Sequence, residues 1–328
     1  MAALGLAVLL TAPVLRGQQS ASAPPDATPT IKVDVAVVNV VASVRDRRGR
    51  LVSNLDQSDF EIREDGKPQE IVFFDRETTR PLTLGLLVDS SVSQENLIYK
   101  EQEAAAKFFR QVLNTQDAAF LISFDIGVDL LQDVTGSVDM LENALDAIVV
   151  RGTGPSGGIG GPLPQITTGG THLHDAVYLG ATDILQREAG RKALILITDG
   201  QDQGSMMKRD DAIEAAQRTD VIIYGILFVD RAFYGFGGGY SGEGNLKKMA
   251  EETGGRMFRA DNDLELADAF QQISDELRSQ YSIGYRPLNA ARDGSYRRID
   301  VRIRSGGLRV QTRKGYYAPR DSYPASSR

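Results

Sequence analysis

The sequence predicts an α/β protein, in which a doubly wound and mostly parallel sheet is inserted in, or flanked by, a small β-sandwich built from both chain ends. Across the middle of the 328-residue chain, continuous apolar strands alternate with amphipathic helices. The segments on either side alternate apolar with polar residues, as half-buried antiparallel strands do. Neither segment is large enough to fold alone easily without disulfides or metals, and the chain contains no cysteine. We therefore expect the two segments to form one sandwich, the alternative being two separate small sheets packed on the central domain.

Changes of pattern divide the chain into six segments. They are an apolar leader at 1–17, a linker at 18–30, a first sandwich part at 31–80, the α/β domain at 81–280, a second sandwich part at 281–318 and a tail at 319–328. The leader resembles a secretory signal peptide, although no Lys or Arg precedes its apolar stretch; the alternative is a disordered apolar terminus. An exported chain without cysteine suits a bacterial envelope, periplasm or secreted fraction.

The first sandwich part predicts a bent strand and a hairpin. Apolar residues alternate from 31 to 37, and the phase then flips so that the even-numbered positions of 38–44 are apolar, which indicates a bulge or bend. In "DFEIREDGKPQEIVFF", Asp65-Gly66 supplies the positive-φ turn, and residues 71–73 form the returning strand. The second sandwich part alternates in the same way at 281–285, 297–304 and 308–317.

The central domain reads as strands followed by helices. The predicted strands are 82–89, 117–125, 128–135, 192–200, 220–230 and 255–260, and the predicted helices are 95–113, 137–148, 173–187, 209–219, 245–254 and 263–280. The strand "LTLGLLVD" at 82–89 is a continuous apolar run, as expected for a parallel strand buried on both faces. The strand at 128–135 is placed at an edge of the sheet.

Hydroxyls and carboxylates gather at three strand and helix ends. Asp89, Ser91 and Ser93 follow the strand at 82–89. Thr171 opens a helix after two glycines, and Asp199 ends another buried strand. In a doubly wound sheet these places lie along one edge. Hard cations prefer oxygen ligands, and Mg²⁺ takes about six. The set therefore predicts one Mg²⁺ site, with Mn²⁺ or Ca²⁺ possible, and the absence of His and Cys from it disfavours zinc.

The stretch "VDSSVSQ" has a simpler interpretation when it is taken alone. Ser and Asp are preferred residues at helix N-termini, and Ser91-x-x-Gln94 would form a capping box. Five protein groups around a metal, some of them acting through water, would leave a coordination position open. An exposed Asp or Glu of a partner protein could fill that position.

Asp89-x-Ser91-x-Ser93, Thr171 and Asp199-Gly200 resemble the metal-ion-dependent adhesion site of von Willebrand factor type A and integrin I domains, and the resemblance covers about residues 81–278. It implies that both serines are direct ligands, that the threonine binds directly or through water, and that the two aspartates often act through water. The mature chain as a whole also resembles the bacterial VWFA-related acidobacterial domain family, in which the "DFEIREDGKPQEI" hairpin and the terminal "RKGYYAP" recur.

Other side chains near these motifs are weaker candidates. Candidates for the second shell or rim of the site are Asp175, Asp202, Tyr234, Phe236 and Tyr240. Two glycine-rich loops at 152–170 and 235–244 are expected to be functional or disordered, and at least the first is expected to border the site. His172 and His174 sit at a helix start, and we expect them to be exposed or to pack against neighbours.

The favoured function is a non-enzymatic, metal-dependent protein-binding or adhesion module. A net charge of −7 argues against nucleic acid as a partner. The motif "GTGPSGGIGG" does not lie between a strand and a helix, which argues against nucleotide. The alternatives are a metal-dependent hydrolase or phosphatase on a similar fold and a scaffold whose site is vestigial. Dehalogenase-type phosphatases need a second Asp where this chain has Ser91, and no G-x-S-x-G motif is evident.

Overall fold

The computed structural model describes residues 37–76, 80–150, 170–230 and 242–320. Its strands are β1 Val38–Arg45, β2 Phe60–Glu64, β3 Lys67–Gln69, β4 Ile71–Arg76, β5 Leu82–Asp89, β6 Ala118–Phe124, β7 Val128–Thr135, β8 Arg191–Thr198, β9 Val221–Phe228, β10 Met257–Ala260, β11 Tyr281–Tyr285, β12 Tyr296–Ile303, β13 Arg309–Thr312 and β14 Gly315–Tyr317. Its α-helices are α1 Ile98–Val112, α2 Val138–Asp146, α3 Leu173–Leu179, α4 Arg209–Arg218, α5 Glu243–Thr253 and α6 Asp263–Leu277. The predicted leader and linker lie outside the described residues, as do both glycine-rich loops apart from their last residues.

The central sheet has six strands in the order β10-β9-β8-β5-β6-β7. All neighbours are parallel except β6 and β7, which are antiparallel, so the edge strand at 128–135 is confirmed. From β5 the chain moves outward to β6, and from β8 it moves outward in the opposite direction to β9. The order therefore reverses between β5 and β8, where ligands usually bind in open α/β sheets.

Helices cover both faces of this sheet, which confirms the doubly wound prediction. One apolar core joins α1, α2 and α6 to side chains such as Leu84, Leu86 and Ile195. The other joins α3, α4 and α5 to the opposite face, including Leu87 and Leu194. Because successive strand residues point to opposite faces, a strand buried on both sides has to be apolar at nearly every position.

The predicted helix at 173–187 exists, but only its first half is α-helical. A π-helical turn follows at Gly180–Ile184, and a 3₁₀ turn closes it at Leu185–Arg187. The hydroxyl of Thr182 donates to the carbonyl of Tyr178 at 2.9 Å, a side-chain bond that competes with the regular backbone ladder. The irregular turn lies away from the helix start that carries Thr171.

The flanking segments form two four-stranded antiparallel sheets, in the orders β13-β1-β11-β4 and β14-β12-β2-β3. Each sheet mixes strands from before and after the α/β domain, so the interpretation as one sandwich built from both ends is confirmed. The two sheets share one apolar core that includes Val40, Phe60, Ile283 and Ile299. The segment boundaries at 80/81 and 280/281 stay a prediction.

The hairpin prediction is half right. Asp65 and Gly66 form the turn with φ values of 47° and 80°. The strand that returns against β2 is β3, not residues 71–73 as predicted, because Glu64 faces Lys67 directly. The chain then crosses to the other sheet, where β4 pairs with β11. Nothing in the alternation of apolar residues marks this crossing.

A buried carboxylate joins the sandwich to the α/β domain. Glu276 on α6 is fully buried. It accepts hydrogen bonds from Arg45 of β1 at 2.5 Å and from Gln311 of β13 at 2.9 Å. From its own domain it accepts hydrogen bonds from Arg256 at 3.0 Å and Tyr224 at 3.2 Å. One side chain therefore connects elements of both parts of the molecule.

Candidate metal centre

Two buried aspartates end neighbouring strands at the point where the strand order reverses. Asp89 is the last residue of β5, and Asp199 directly follows β8. The Asp89 carboxylate accepts a hydrogen bond from the backbone N–H of Ser91 at 3.0 Å and another from the Thr198 hydroxyl at 2.5 Å. Thr198 in turn accepts from the N–H of Gly200 at 2.9 Å. The Asp89 side chain is therefore fixed by groups from both strands.

The two serine hydroxyls form a directed chain that ends on Asp199. Ser93 donates its only hydroxyl proton to the Asp199 carboxylate at 2.8 Å. The Ser91 and Ser93 oxygens are 3.0 Å apart, so Ser91 must be the donor of that bond. The predicted residues Asp89, Ser91, Ser93 and Asp199 are thus brought together at one sheet edge.

The site is negative at its base and opens toward solvent through its hydroxyls. Asp89 and Asp199 are 0% and 1% exposed, whereas Ser91 and Ser93 are 8% and 9% exposed. Burial, followed by the nearby negative charge of Asp199, raises the pKa of Asp89 to about 7. Two carboxylates that repel each other in a poorly solvated place are stabilised by a cation.

Thr171 lies two residues before the start of α3 and is tied to the loop that follows Asp199. Its backbone N–H donates to the carbonyl of Gln203 at 3.0 Å, and its carbonyl accepts from the N–H of Gln203 at 2.9 Å. These paired bonds hold the start of α3 next to the loop after β8. The role of the Thr171 hydroxyl as a metal ligand stays a prediction.

A second network ties the same loop to α3 and α5. The His174 ring contacts the Asp202 carboxylate through Nδ1 at 3.2 Å and the Asn245 side-chain oxygen through Nε2 at 3.1 Å. Asn245 donates through its Nδ2 to the carbonyl of Gly200 at 3.1 Å, so its oxygen must face the histidine. Both ring nitrogens therefore face acceptors, and this arrangement favours the doubly protonated ring. The expectation that His174 packs against neighbours holds.

The pKa of His174 follows from these contacts. Burial alone would lower it, but the hydrogen bonds to Asp202 and Asn245 and the charge of Asp202 raise it above its ordinary value, against a smaller opposing effect of Arg209. The same contacts lower the pKa of Asp202, although its partial burial acts in the opposite direction. The imidazolium–carboxylate pair therefore stabilises the folded state.

We expect the stability that His174 contributes to be lost with rising pH. Because its pKa is raised on folding, the contribution is fully present below the unfolded value of about 6.5 and disappears as pH passes the folded value. The difference in unfolding free energy between wild type and His174→Gln should be about 1.5–3 kcal/mol at pH 6, the range for charged hydrogen bonds, and smaller at pH 8.5. Urea unfolding at both pH values measures it.

His172→Gln is the matched control, because the chain has only two histidines. Its side chain is a quarter exposed and lies 4.0 Å from Asp175, so its effect should be smaller. Two histidines also give two separable titrations by NMR, and the His174 ring should titrate above its ordinary range. A pH-independent difference between wild type and His174→Gln would contradict the protonated pair.

Two glycines allow the loop after β8 to pack closely on the start of α5. Gly200 has a φ of 79°, in the left-handed region. A Cβ on Gly242 would lie 2.1 Å from the carbonyl oxygen of Asp199, and one on Gly200 would lie 2.5 Å from the carbonyl oxygen of Gly242. Only glycine fits at both positions, so the backbone of Asp199 is held directly by the start of α5.

The weaker sequence candidates have different positions. The Asp175 carboxylate accepts hydrogen bonds from the N–H groups of Met206 and Met207 at 2.9 and 2.8 Å. Asp202 bonds to His174, as described above. Their place in the second shell of a metal stays a prediction. Tyr234, Phe236 and Tyr240, proposed for the rim, lie outside the described residues.

Sequence reasoning missed three groups at this edge. Thr198 bonds to Asp89, and its hydroxyl directly precedes the strand-end aspartate in the sequence. Asn245 links α5 to His174. Glu101 on α1 is fully buried, and neither of its carboxylate oxygens has a hydrogen-bond partner. A periodicity signal did exist for Glu101, since it lies in phase with the buried residues Ala105 and Phe108 of its helix.

The donor set fits a hard divalent cation. It consists of carboxylate and hydroxyl oxygens, the ligands that Mg²⁺ and Ca²⁺ prefer. Within the described parts of the chain, no three His, Asp or Glu side chains form a group that could hold a metal by themselves. A cation here would therefore depend on the serine and threonine hydroxyls as well as on the two carboxylates.

Comparison with known proteins bears on this arrangement. The family model for the von Willebrand factor type A domain matches residues 162–272. This range includes Thr171 and Asp199 of the candidate site and the helices that follow them. Residues 162–272 are thus similar to a von Willebrand factor type A domain. This agrees with the sheet order and with the helices on both of its faces.

The proteins similar to this chain are distant from it in sequence. Calcium-activated chloride channel regulator 1 of Bos taurus is 24% identical over 238 residues, or 72% of this chain and 22% of that protein. Proximal thread matrix protein 1 from the mussel byssus, solved with a zinc-occupied MIDAS motif, matches with a TM-score of 0.50 and 14% identity over 65% of this chain and 49% of that one. The vWF domain of the type V pili tip protein Mfa5 from Porphyromonas gingivalis matches with a TM-score of 0.45 and 14% identity, over 60% of this chain and 95% of that one.

The chain spans about a fifth of the length of the curated relative and about half of the mussel protein. The family match and the likeness to the mussel protein support the fold alone, and the activity of the whole protein is left to be proposed. In the described parts of the chain, every helix is too short or too polar to cross a membrane.

Proposed function

We propose that this chain is a non-enzymatic binding module that holds one divalent cation at the edge between β5 and β8 and uses it to bind a partner protein. The observation that carries the proposal is the buried Asp89–Asp199 pair, with the Ser91 N–H on Asp89 and the Ser91–Ser93 hydroxyl chain ending on Asp199. Two carboxylates that repel each other in a buried place are costly, and a cation would offset that cost. The proposal includes Thr171 as the fifth protein ligand.

We propose Mg²⁺ as the cation, with Mn²⁺ or Ca²⁺ as substitutes. When bound, it would supply a Lewis-acidic centre to which a carboxylate can coordinate. The residues of the chain hold and orient this centre: the two aspartates provide charge, and the hydroxyls provide neutral oxygens. Zinc is less suited to an all-oxygen set, although the mussel protein was solved with zinc at its motif.

The proposed partner is a protein that offers an exposed Asp or Glu to the open coordination position. We infer adhesion rather than catalysis from the chemistry of the set, in which every group is a candidate ligand or a positioning partner. A phosphatase of the dehalogenase type would need a carboxylate in place of Ser91. We further propose that residues 1–17 direct export to the envelope, the periplasm or the medium.

The test is capture of a partner from envelope extract. The immobilised wild-type chain should retain a protein in Mg²⁺ or Mn²⁺ and release it with chelator. The Ser91→Ala/Ser93→Ala variant should lose this binding, by about tenfold or more, because it loses two ligands while Asp89 and Asp199 remain. Its melting temperature in chelator should stay near that of wild type.

A second arm identifies the contact. In the captured partner, the contacting acid is changed to the neutral amide, which removes the charge with little change in shape. Binding should then fall to the level seen with chelator. Binding that is undiminished and insensitive to chelator would overturn the adhesion proposal and leave a structural or vestigial site.

A further inference from the structure

One buried carboxylate that follows the proposed cation site along the chain has no counterpart among the predicted ligands. Glu101 lies in the first turn of α1, twelve residues after Asp89 along the chain, and is completely inaccessible to solvent. Neither of its carboxylate oxygens accepts a hydrogen bond. Burying an ionised carboxylate without donors costs several kcal/mol, roughly, so the ionised form of Glu101 needs a compensating positive charge nearby.

Glu101 is coupled to the charges of the site. The charges that act on it are those of Asp89 and Asp199, and after burial they are what raises its pKa well above the ordinary value. Both are negative, so they make the position worse for a carboxylate in the absence of a cation. The three acids are therefore coupled electrostatically, although they do not form a ligand cluster by themselves.

A neighbouring amide adds a second unpaired acceptor. Gln94 directly follows Ser93, is fully buried, and donates through its Nε2 to the carbonyl of Phe228 at 3.4 Å. Its side-chain oxygen has no hydrogen-bond partner. Three buried acceptor atoms thus lie shortly after Ser93, one on Gln94 and two on Glu101 in the first turn of α1. Acceptors without donors favour a positive charge nearby.

We propose that Glu101 is the buried outer carboxylate of the cation site and that its negative charge, acting at a distance and not as a ligand, raises the affinity of the site for divalent cations. This inference rests on the proposed function, since it assumes a cation at Asp89, Ser91, Ser93, Thr171 and Asp199. Charge–charge interactions are weakly screened in a buried place, so a group without direct contact still affects the cation.

The experiment is calorimetric titration of the whole chain with Mn²⁺, in wild type and in Glu101→Gln. The amide keeps the size of the side chain and removes its charge. We expect the dissociation constant to rise about 10- to 100-fold, the range for changes outside the ligand shell. The melting temperature of Glu101→Gln in chelator should equal or exceed that of wild type, because repulsion from the two aspartates is removed.

Two further variants separate charge from packing. Glu103→Gln makes the same charge change on the same helix at an exposed position paired with Lys107, and its affinity should stay within twofold of wild type. Glu101→Asp keeps the charge but leaves a cavity, so it should lower the melting temperature and keep most of the affinity. If Glu101 instead had only a structural role, its variants would lose affinity for Mn²⁺ to the extent that they lose stability.

The ion's own charge gives a last readout. Because Coulomb energy is proportional to charge, Glu101→Gln should weaken Tb³⁺ binding by a larger factor than Mn²⁺ binding. Affinity for Mn²⁺ in Glu101→Gln within twofold of wild type would overturn this inference and leave the proposed function intact. Absence of Mn²⁺ binding in wild type itself would overturn both. If Glu101→Gln does not fold, the comparison of Glu101→Asp with Glu103→Gln decides.

Discussion

Replacing Asp89 with asparagine is expected to abolish binding of Mg²⁺ and Mn²⁺, with a loss of affinity of at least about a hundredfold. Two unit charges about 4 Å apart interact by about 4 kcal/mol at an effective dielectric constant of 20, and a divalent cation doubles that energy. The asparagine oxygen can still accept from the N–H of Ser91, and its amide can donate to Thr198. The fold of the sheet edge should therefore survive the loss of charge.

Isothermal titration calorimetry measures this effect, and thermal unfolding in chelator accompanies it. The variant without metal should melt at or above the wild-type temperature, because Asp89 then no longer repels Asp199. In wild type, metal should raise the melting temperature by mass action; in Asp89→Asn it should have no effect. If Asp89→Asn loses metal affinity but keeps or gains stability in chelator, the variant has lost a ligand and its fold is undamaged.

Asp117→Asn is the matched control for Asp89. Asp117 is also a buried aspartate at a strand end, directly before β6, but at the opposite edge of the sheet. It accepts hydrogen bonds from the N–H groups of Leu82 and Asn114 at 2.9 Å each. Its replacement should leave metal affinity unchanged. Equal affinity in Asp89→Asn and wild type would remove the metal site from the proposal.

Replacing Glu276 with glutamine is expected to lower the free energy of unfolding by about 3 kcal/mol, the lower end of the range for breaking a buried ion pair. Arg45 and Arg256 would keep their charges without the carboxylate that faces them. Their side chains are 16% and 27% exposed, so water compensates part of the loss. Urea unfolding followed by circular dichroism measures the change.

Asp275→Asn is the matched control for this substitution. Asp275 is the exposed neighbour of Glu276 on α6, and its carboxylate accepts a hydrogen bond from the Gln271 side chain at 2.9 Å. It should change stability by less than about 0.5 kcal/mol, as surface substitutions usually do. A loss below about 1 kcal/mol in Glu276→Gln would mean that apolar contacts, and not this network, hold the sandwich to the α/β domain.

The parts of the fold that the sequence predicts are those with a local signal. The apolar runs of β5 and β8 are long and uninterrupted because both faces of these strands are buried. Asp89 and Asp199 end these runs, so their place at the sheet edge follows from topology alone. The sandwich could be assigned to both chain ends because neither segment is large enough by itself.

The remaining features depend on tertiary contacts. Glu101 and Arg297 are polar residues that occupy apolar phases, and both are buried. Arg297 shares the face of Ile299 and Val301 on β12, so the alternation of that strand extends to it. A prediction that such residues are exposed gives more weight to the polarity of the side chain than to the apolar positions with which it is in phase. The crossing of the chain from β3 to β4 has no comparable signal, because both strands are short and neither is fully buried.

The split sandwich also sets an order of events when the chain is made. Val38 of β1 pairs with Tyr285, and Ala42 pairs with Thr312, so β1 has to wait for strands that are synthesised after the whole α/β domain. During that interval its backbone N–H and C=O groups lack their final partners, and unpaired strands are where aggregation begins. Once the α/β domain has folded, it brings Arg76 and Tyr281 to adjacent strands. The closure of a very long loop thereby becomes the docking of two short segments, which lowers its entropic cost. Folding of the central domain and closure of the sandwich are thus consecutive steps. Mutations that slow folding of the central domain will prolong the time during which β1 is unpaired.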